Sequence, residues 1–210
     1  MKQELIVIGG GEYAGVLIDT ALAQPEIWNV IGFVDQMPCE ETVLRFKIKK
    51  LGSDEDLDAI LNNHPKAKLV IGVGDVSHRN KIISSLSFPE DRWANLIHPS
   101  AIIASTARLS YGIVVMSRAI IQTGSVVSEH AIVNNGAVIE HDVFIGKNTH
   151  IASGAVIGGR CNIGNNCTIG LGSRIRDHVS IGSGVTVGMG SVVVTDIPEN
   201  ETVVGVPARR

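Results

Sequence analysis

Aromatic side chains are nearly absent: two Trp, two Tyr and four Phe make up 4% of the 210 residues. A core built on large rings is therefore excluded, and the 44% of hydrophobic residues must pack mainly as Ile, Val and Ala. Cysteine is scarce as well. Cys39 falls in a polar segment, while Cys161 and Cys167 recur at small inward positions, so neither a disulfide framework nor a metal site is expected. No sign of charge dominates. Eighteen Lys and Arg against 21 Asp and Glu give a net charge of −3, which leaves no basic face for a nucleic-acid backbone. Long apolar runs are also missing. The opening MKQELIVIGGG is too short for a signal peptide or a membrane span, so the protein reads as cytoplasmic, without membrane insertion.

What the chain does have is a period. From Ala101 to Asp196 it repeats every six residues, sixteen times without an insertion, in blocks that begin AIIAST, ARLSYG, IVVMSR, AIIQTG. The third position is aliphatic in all sixteen, from Ile103 and Leu109 through Ile151 to Val187 and Val193. With roughly one residue in three Ile, Leu or Val, a chosen frame would do this by chance about once in 4 × 10^7. The first position is small or β-branched, and Gly recurs at the fourth, at 146, 158, 164, 170, 182 and 188. Such a short period predicts a parallel β-helix, each block being one flat strand and a corner. Three blocks make an eighteen-residue triangular coil, and coils stack about 4.8 Å apart. Each coil buries its stripe only against its neighbours, so stability grows with their number.

The first hundred residues follow another rule. LIVIGGG (5–11) reads as a strand ending in glycines, and EYAGVLIDTALAQ as a helix. NVIGFVD, ending at Asp35, gives a second strand, and LGSDEDLDAILNNH a second helix capped by Ser53 or Asp54. KLVIGVGD (68–75) is a third strand and HRNKIISSL a third helix, with a mobile loop and a short strand between Asp35 and Lys50. Alternating strands and helices predict a small parallel sheet of Rossmann type over 1–97, followed by the β-helix over 98–210. Glycines at the end of a first strand let backbone approach a phosphate at a helix N-terminus. Gly9, Gly10, Gly11 and Gly15 miss the G-x-G-x-x-G spacing by one position. They suit either a single nucleotide, alone or attached to a sugar, or tight turns that bind nothing. Asp35 ends the second strand, where an acidic residue commonly meets a ribose or base.

Within the repeat, Glu140, His141 and Asp142 interrupt a bland surface at one corner, and His150 follows nine residues later. Imidazole beside carboxylate is the arrangement of a general base with a set tautomer. Gly159, eighteen residues after His141, should stack one coil above it with its N–H open to a developing oxyanion. The alternative is that His141 and Asp142 are solvated corner residues, as His130 and His178 are expected to be.

These residues carry a family resemblance. The motifs are IGGG near the start, GFVD at 32–35, VIGVGD…R at 70–79, NLIHPSA at 95–101, VIEHD at 138–142 and GVPARR at 205–210. In order and spacing the chain resembles the hexapeptide-repeat sugar acetyltransferases of the bacillosamine-pathway (PglD), perosamine and sialic-acid (NeuD) type. The resemblance implies an α/β Rossmann-like N-terminal domain and a left-handed parallel β-helix, a homotrimer, and acetyl-CoA in the cleft between neighbouring helices, with no metal. Handedness comes from the resemblance alone, since left-handed crossovers are exceptional. It further implies that His141 is the base and Asp142 raises its basicity. His150 and backbone near Gly159, Leu171 and Met189 contact the acetyl group and pantetheine arm. Gly9, the turn at Gly11, Glu12 and Tyr13, the strand end at Asp35 and Gln36, and Gly74 hold the nucleotide-sugar. Tyr13 stands where relatives usually carry histidine, and Gln36 where a second acidic residue often follows.

The function this implies is acetyl-CoA-dependent N-acetylation of a nucleotide-linked amino sugar, expected to be a UDP-4-amino-4,6-dideoxy sugar. O-acetylation of sialic acid by the same machinery is the alternative, and His150, which that branch often lacks, favours the amine. A non-catalytic β-helix scaffold is the reading from another class. Against it stand the 140–142 corner and an N-terminal domain that a scaffold does not need.

Overall fold

A computed structural model describes residues 2–37 and 45–210. The chain divides into two compact units, Met1–Pro99 and Ser100–Arg210.

The first unit is a parallel sheet of β1 (Gln3–Ile8), β2 (Trp28–Val34), β3 (Lys50–Gly52) and β4 (Lys68–Ile71), in the order β3-β2-β1-β4. The helices are α1 (Glu12–Leu22), α2 (Leu57–Asn63) and α3 (Val76–Ser85). Leu5, Ile6, Val7 and Ile8 of β1 are fully buried, as a central parallel strand covered on both faces demands. A 3-10 turn, Asp54–Asp56, precedes α2, and Ser53 is its N-cap. Asp56 Oδ2 accepts from both the N–H (2.8 Å) and the hydroxyl (2.9 Å) of Ser53. Of the loop expected between Asp35 and Lys50, residues 38–44, Cys39 among them, lie outside the described residues.

The second unit repeats a two-residue strand every six residues, from Ile102–Ile103 to Val192–Val193. Each interior strand pairs in parallel with those eighteen residues before and after it: Val138 lies against Ile120 and Val156, and His150 against Ile132 and Thr168. Three faces result. The first carries Val138–Ile139, the second Phe144–Ile145 and the third His150–Ile151. From Val115 to Val193 every third-position aliphatic is at most 3% exposed. Ile103 and Leu109 are only half-buried, because within this unit their strands are stacked on one side alone.

The corners explain the remaining pattern. From Gly112 to Gly190 the sixth position of each block runs at φ between 54° and 72°. That region costs most L-residues about 1–2 kcal/mol, and Gly, Asn and Asp least, which is why they predominate there. From His130 to Gly190 each sixth-position N–H donates to a carbonyl nineteen residues earlier, as Asp142 does to Thr123, Arg160 to His141 and His178 to Gly159, while Arg118 and Gly124 donate to the hydroxyls of Ser100 and Thr106. His130 departs from expectation. It is buried at 5% and packs edge-on against Tyr111, with ring centroids 5.4 Å apart, rather than standing in solvent. Gly112 makes this possible, since a Cβ there would sit 2.5 Å from the His130 Nδ1. His178 is exposed.

Candidate functional site

His141 and Asp142 occupy the corner between the first and second faces, and both are about half-exposed. The His141 Nδ1 lies 3.0 Å from the Asp142 Oδ2. A carboxylate can only accept, so Nδ1 carries the proton and the Nε2 lone pair is left free. Asp142 is itself set by its left-handed backbone and its N–H bond to Thr123. The imidazole lies over Gly159: a Cβ there would be 2.7 Å from Nε2 and 2.9 Å from Cε1. The carbonyl of Gly159 accepts from the N–H of His178, while its own N–H meets no acceptor among the described residues. One corner thus offers a base with a defined tautomer and an open backbone donor beside it.

The other residues read for the acetyl donor are elsewhere on the chain. His150 is on the third face, and its Nε2 accepts from the amide of Asn134 at 3.2 Å. Leu171 and Met189 follow the third face at the next corner, in one column, with the Gly190 N–H donating to the Leu171 carbonyl. Both side chains are exposed, by 52% and 77%. His141, Asp142 and Gly159 thus share one corner, while His150 lies on the third face and Leu171 and Met189 at the corner that follows it. Nine residues is half of an eighteen-residue coil, so the spacing of His141 and His150 already held this answer. Asn134 was missed in the sequence, although it sits sixteen residues before His150, one coil below.

In the first unit, Gly9 has φ 101°, a conformation that glycine alone adopts at no cost. The Gly10 N–H donates to the Asp35 Oδ2 at 2.5 Å, and the Met37 N–H to Oδ1 at 2.7 Å. Asp35 therefore ties the glycine turn to the end of β2. Gly11 is the N-cap of α1, with open space where a Cβ would point, and Glu12 is exposed in the first turn. Gly74 packs against the Tyr13 ring. Burial pushes the Tyr13 hydroxyl far above the usual phenol range, so it is neutral. Beneath this loop Arg79, 1% exposed, donates to the carbonyls of Val73 (3.2 Å) and Gly74 (3.0 Å). Its pKa is pushed down to about 10, chiefly by burial, and it remains charged at neutral pH.

A cavity of about 100 Å³ opens between the ends of β1, β2 and β4. Gly9, Asp35, Gln36, Asp54 and His78 are among its lining residues. This is the switch point of the sheet, where α/β folds take ligands. Asp54 and His78 are additions that sequence reasoning did not find, because the topology, not a motif, brings them to β1. Among the described residues no helix is long and apolar enough to cross a membrane, and no three His, Cys, Asp or Glu are grouped to hold a metal.

The chain matches the family model of the PglD N-terminal domain over residues 4–86. It also matches the bacterial transferase hexapeptide over 136–171 and the hexapeptide repeat of succinyl-transferase over 157–195. It is 31% identical to perosamine N-acetyltransferase from Caulobacter crescentus, solved with CoA and GDP-perosamine. That comparison covers 98% of this chain and 95% of that one, with a TM-score of 0.87. The chain belongs to the PglD-type hexapeptide-repeat sugar acetyltransferases. The acetyltransferase domain of PglB from Neisseria gonorrhoeae is 32% identical, with 99% of both chains covered and a TM-score of 0.87. That domain has also been solved with acetyl coenzyme A. WeeI from Acinetobacter baumannii, 22% identical with 99% of both chains covered, shares the fold at a TM-score of 0.82. Among curated protein sequences no relative matches. The fold of the family is the N-terminal α/β domain followed by a left-handed parallel β-helix, and its members are acetyl-CoA-dependent sugar acetyltransferases.

Proposed function

We propose that this protein transfers the acetyl group of acetyl-CoA to the amine of a nucleotide-linked amino sugar. The observation that carries this is the corner where the His141 imidazole, held by Asp142, lies over Gly159. The neutral amine attacks the thioester carbonyl and a C–N bond forms. His141 Nε2 takes the proton the nitrogen loses, and the Gly159 N–H faces the oxyanion. Collapse breaks the C–S bond, and the proton on His141 goes to the departing CoA sulfur. A direct transfer needs no acyl-enzyme, metal or redox step. Asp142 supports the imidazolium and keeps its tautomer as the proton passes.

The two half-sites on one chain call for a second copy. The Leu171–Met189 column offers an apolar edge for a pantetheine arm, with His150 on the adjoining third face, but it lies at a different corner from His141. Threefold packing of the β-helices would bring the column of one protomer to the corner of the next, so the active species is a homotrimer with acetyl-CoA between protomers. The first unit, read here as residues 1–97, holds the nucleotide at Gly9, Gly11, Asp35 and Gly74, and 98–210 carries the transfer. A cytoplasmic location goes with acetyl-CoA as co-substrate.

Release of free thiol from acetyl-CoA, followed with a panel of acceptors, tests the reading. Nucleotide-linked amino sugars should support turnover and His141→Ala should lower kcat by roughly 10^2–10^4. Turnover with sialic acid in their place would make the enzyme an O-acetyltransferase, and no turnover with any sugar would make it a scaffold.

A further inference from the structure

At three places in the second unit a side chain lies in the room left by a glycine of the coil below. His130 sits over Gly112, Asp142 over Gly124 and Asn200 over Gly184. A Cβ on those glycines would stand 2.5 Å from the His130 Nδ1, 2.3 Å from the Asp142 Oδ1 and 2.4 Å from the Asn200 Oδ1. Backbone conformation alone does not demand glycine at this position. Arg118, His130, Asn148 and Asn166 occupy it in their own blocks with φ between 54° and 57°. Nor is every such glycine a seat: Gly136, at φ 64°, has nothing within 4 Å of where a Cβ would be. At Gly124 the empty space itself is used, and the group that uses it is the carboxylate beside His141.

The Asp142 Oδ2 takes the Nδ1–H of His141 at 3.0 Å and lies 4.0 Å from the Arg160 Nε of the coil above. Its Oδ1 rests over Gly124, and its backbone N–H donates to the Thr123 carbonyl at 2.9 Å. The turn at 123–124 is therefore a platform under both the backbone and the carboxylate of Asp142. Thr106 holds that platform from below: its hydroxyl accepts from the Gly124 N–H at 3.2 Å and bonds the Thr123 hydroxyl. We infer that Gly124 is a positioning residue for the transfer: the space left by its missing side chain fixes the angle of the Asp142 carboxylate and so aims Oδ2 at His141. A methyl group at 124 would push Oδ1 from 2.3 Å out to ordinary contact near 3.4 Å. A carboxylate is rigid, so Oδ2 moves with Oδ1, and a contact stretched to about 3.6 Å is no longer a hydrogen bond. His141 would lose the acceptor that sets its tautomer. This rests on the base role proposed for His141 and names what keeps that base in register.

The His141 tautomer of the full-length protein is the first measurement, read from ring 15N chemical shifts with the signal assigned by its loss in His141→Ala. The second is kcat from thiol release, with a nucleotide-linked amino sugar that the wild type acetylates. Gly124→Ala should turn a ring protonated at Nδ1 into a mixture of tautomers and lower kcat by about 10-fold, with the acetyl-CoA KM unchanged. Gly184→Ala is the matched control, with φ 72° against 71° and a side-chain oxygen at 2.4 Å, at a corner that carries none of the transfer residues. It should lower the melting temperature as much as Gly124→Ala does and leave the tautomer and kcat at wild-type values. Gly124→Asn, better suited to the left-handed backbone, should recover melting temperature without recovering kcat. In an Asp142→Ala background, where the crowded carboxylate is gone, Gly124→Ala should cost no further kcat. A Gly124→Ala protein with the wild-type tautomer and the turnover of Gly184→Ala overturns the inference and leaves the base role of His141 standing. A further loss of kcat in the Asp142→Ala background overturns it too. Wild-type turnover in His141→Ala removes the base itself, and this inference falls with it.

Discussion

Adding a single methyl group at Gly159 tests the site without touching a functional side chain. The new Cβ would stand 2.7 Å from the His141 Nε2, where ordinary contact begins near 3.4 Å. The ring must therefore retreat by about 0.7 Å. It can do so, because His141 is the end of a flexible side chain that is 49% exposed. Gly159 does not use a left-handed φ, so alanine brings no backbone strain and removes some unfolded-state entropy, worth about 0.4–1 kcal/mol. Contact strain offsets that gain, and the melting temperature should move little. Catalysis should not be spared. A misplacement approaching 1 Å at a reacting group costs on the order of 10^2 in rate. We expect Gly159→Ala to lower kcat by about 10–10^2-fold, less than His141→Ala, with the fold intact by circular dichroism. Rates from thiol release at saturating acetyl-CoA would decide it. Wild-type turnover in a well-folded Gly159→Ala protein would mean that the imidazole does no chemistry over that glycine.

Asp142→Asn should retain the fold but lower kcat by roughly 10–10^2-fold, since an amide donor can turn toward Nδ1 and free the wrong nitrogen; a loss matching His141→Ala would mean the carboxylate does more than set the tautomer. Ile151→Asp should abolish soluble expression, because Ile151 is fully buried and an unpaired carboxylate there costs several kcal/mol. A soluble, assembled Ile151→Asp protein would refute the register. Light scattering should give three times the 22.3 kDa chain mass, and a mass of one chain would reject the shared site.

How much was legible in advance follows from where each piece of information sits. The six-residue period set the strands, the inward stripe through Ile151 and the eighteen-residue stacking, and so the sequence alone puts Gly159 over His141. Local chemistry sufficed because each coil meets only its neighbours, at a fixed separation along the chain. Glycine turns and capping signals such as Ser53 set the α/β unit in the same local way. Tertiary structure decided what depends on direction around the prism and on crossovers in the sheet. It left the Leu171 and Met189 side chains exposed in one column at a different corner from His141, while the nine-residue spacing alone already sets His150 half a coil away. It buried His130 in the space that Gly112 leaves. It also carried Asp54 and His78 to the mouth of β1, because parallel strands joined by crossovers bring together residues distant in sequence, and no local pattern records that meeting.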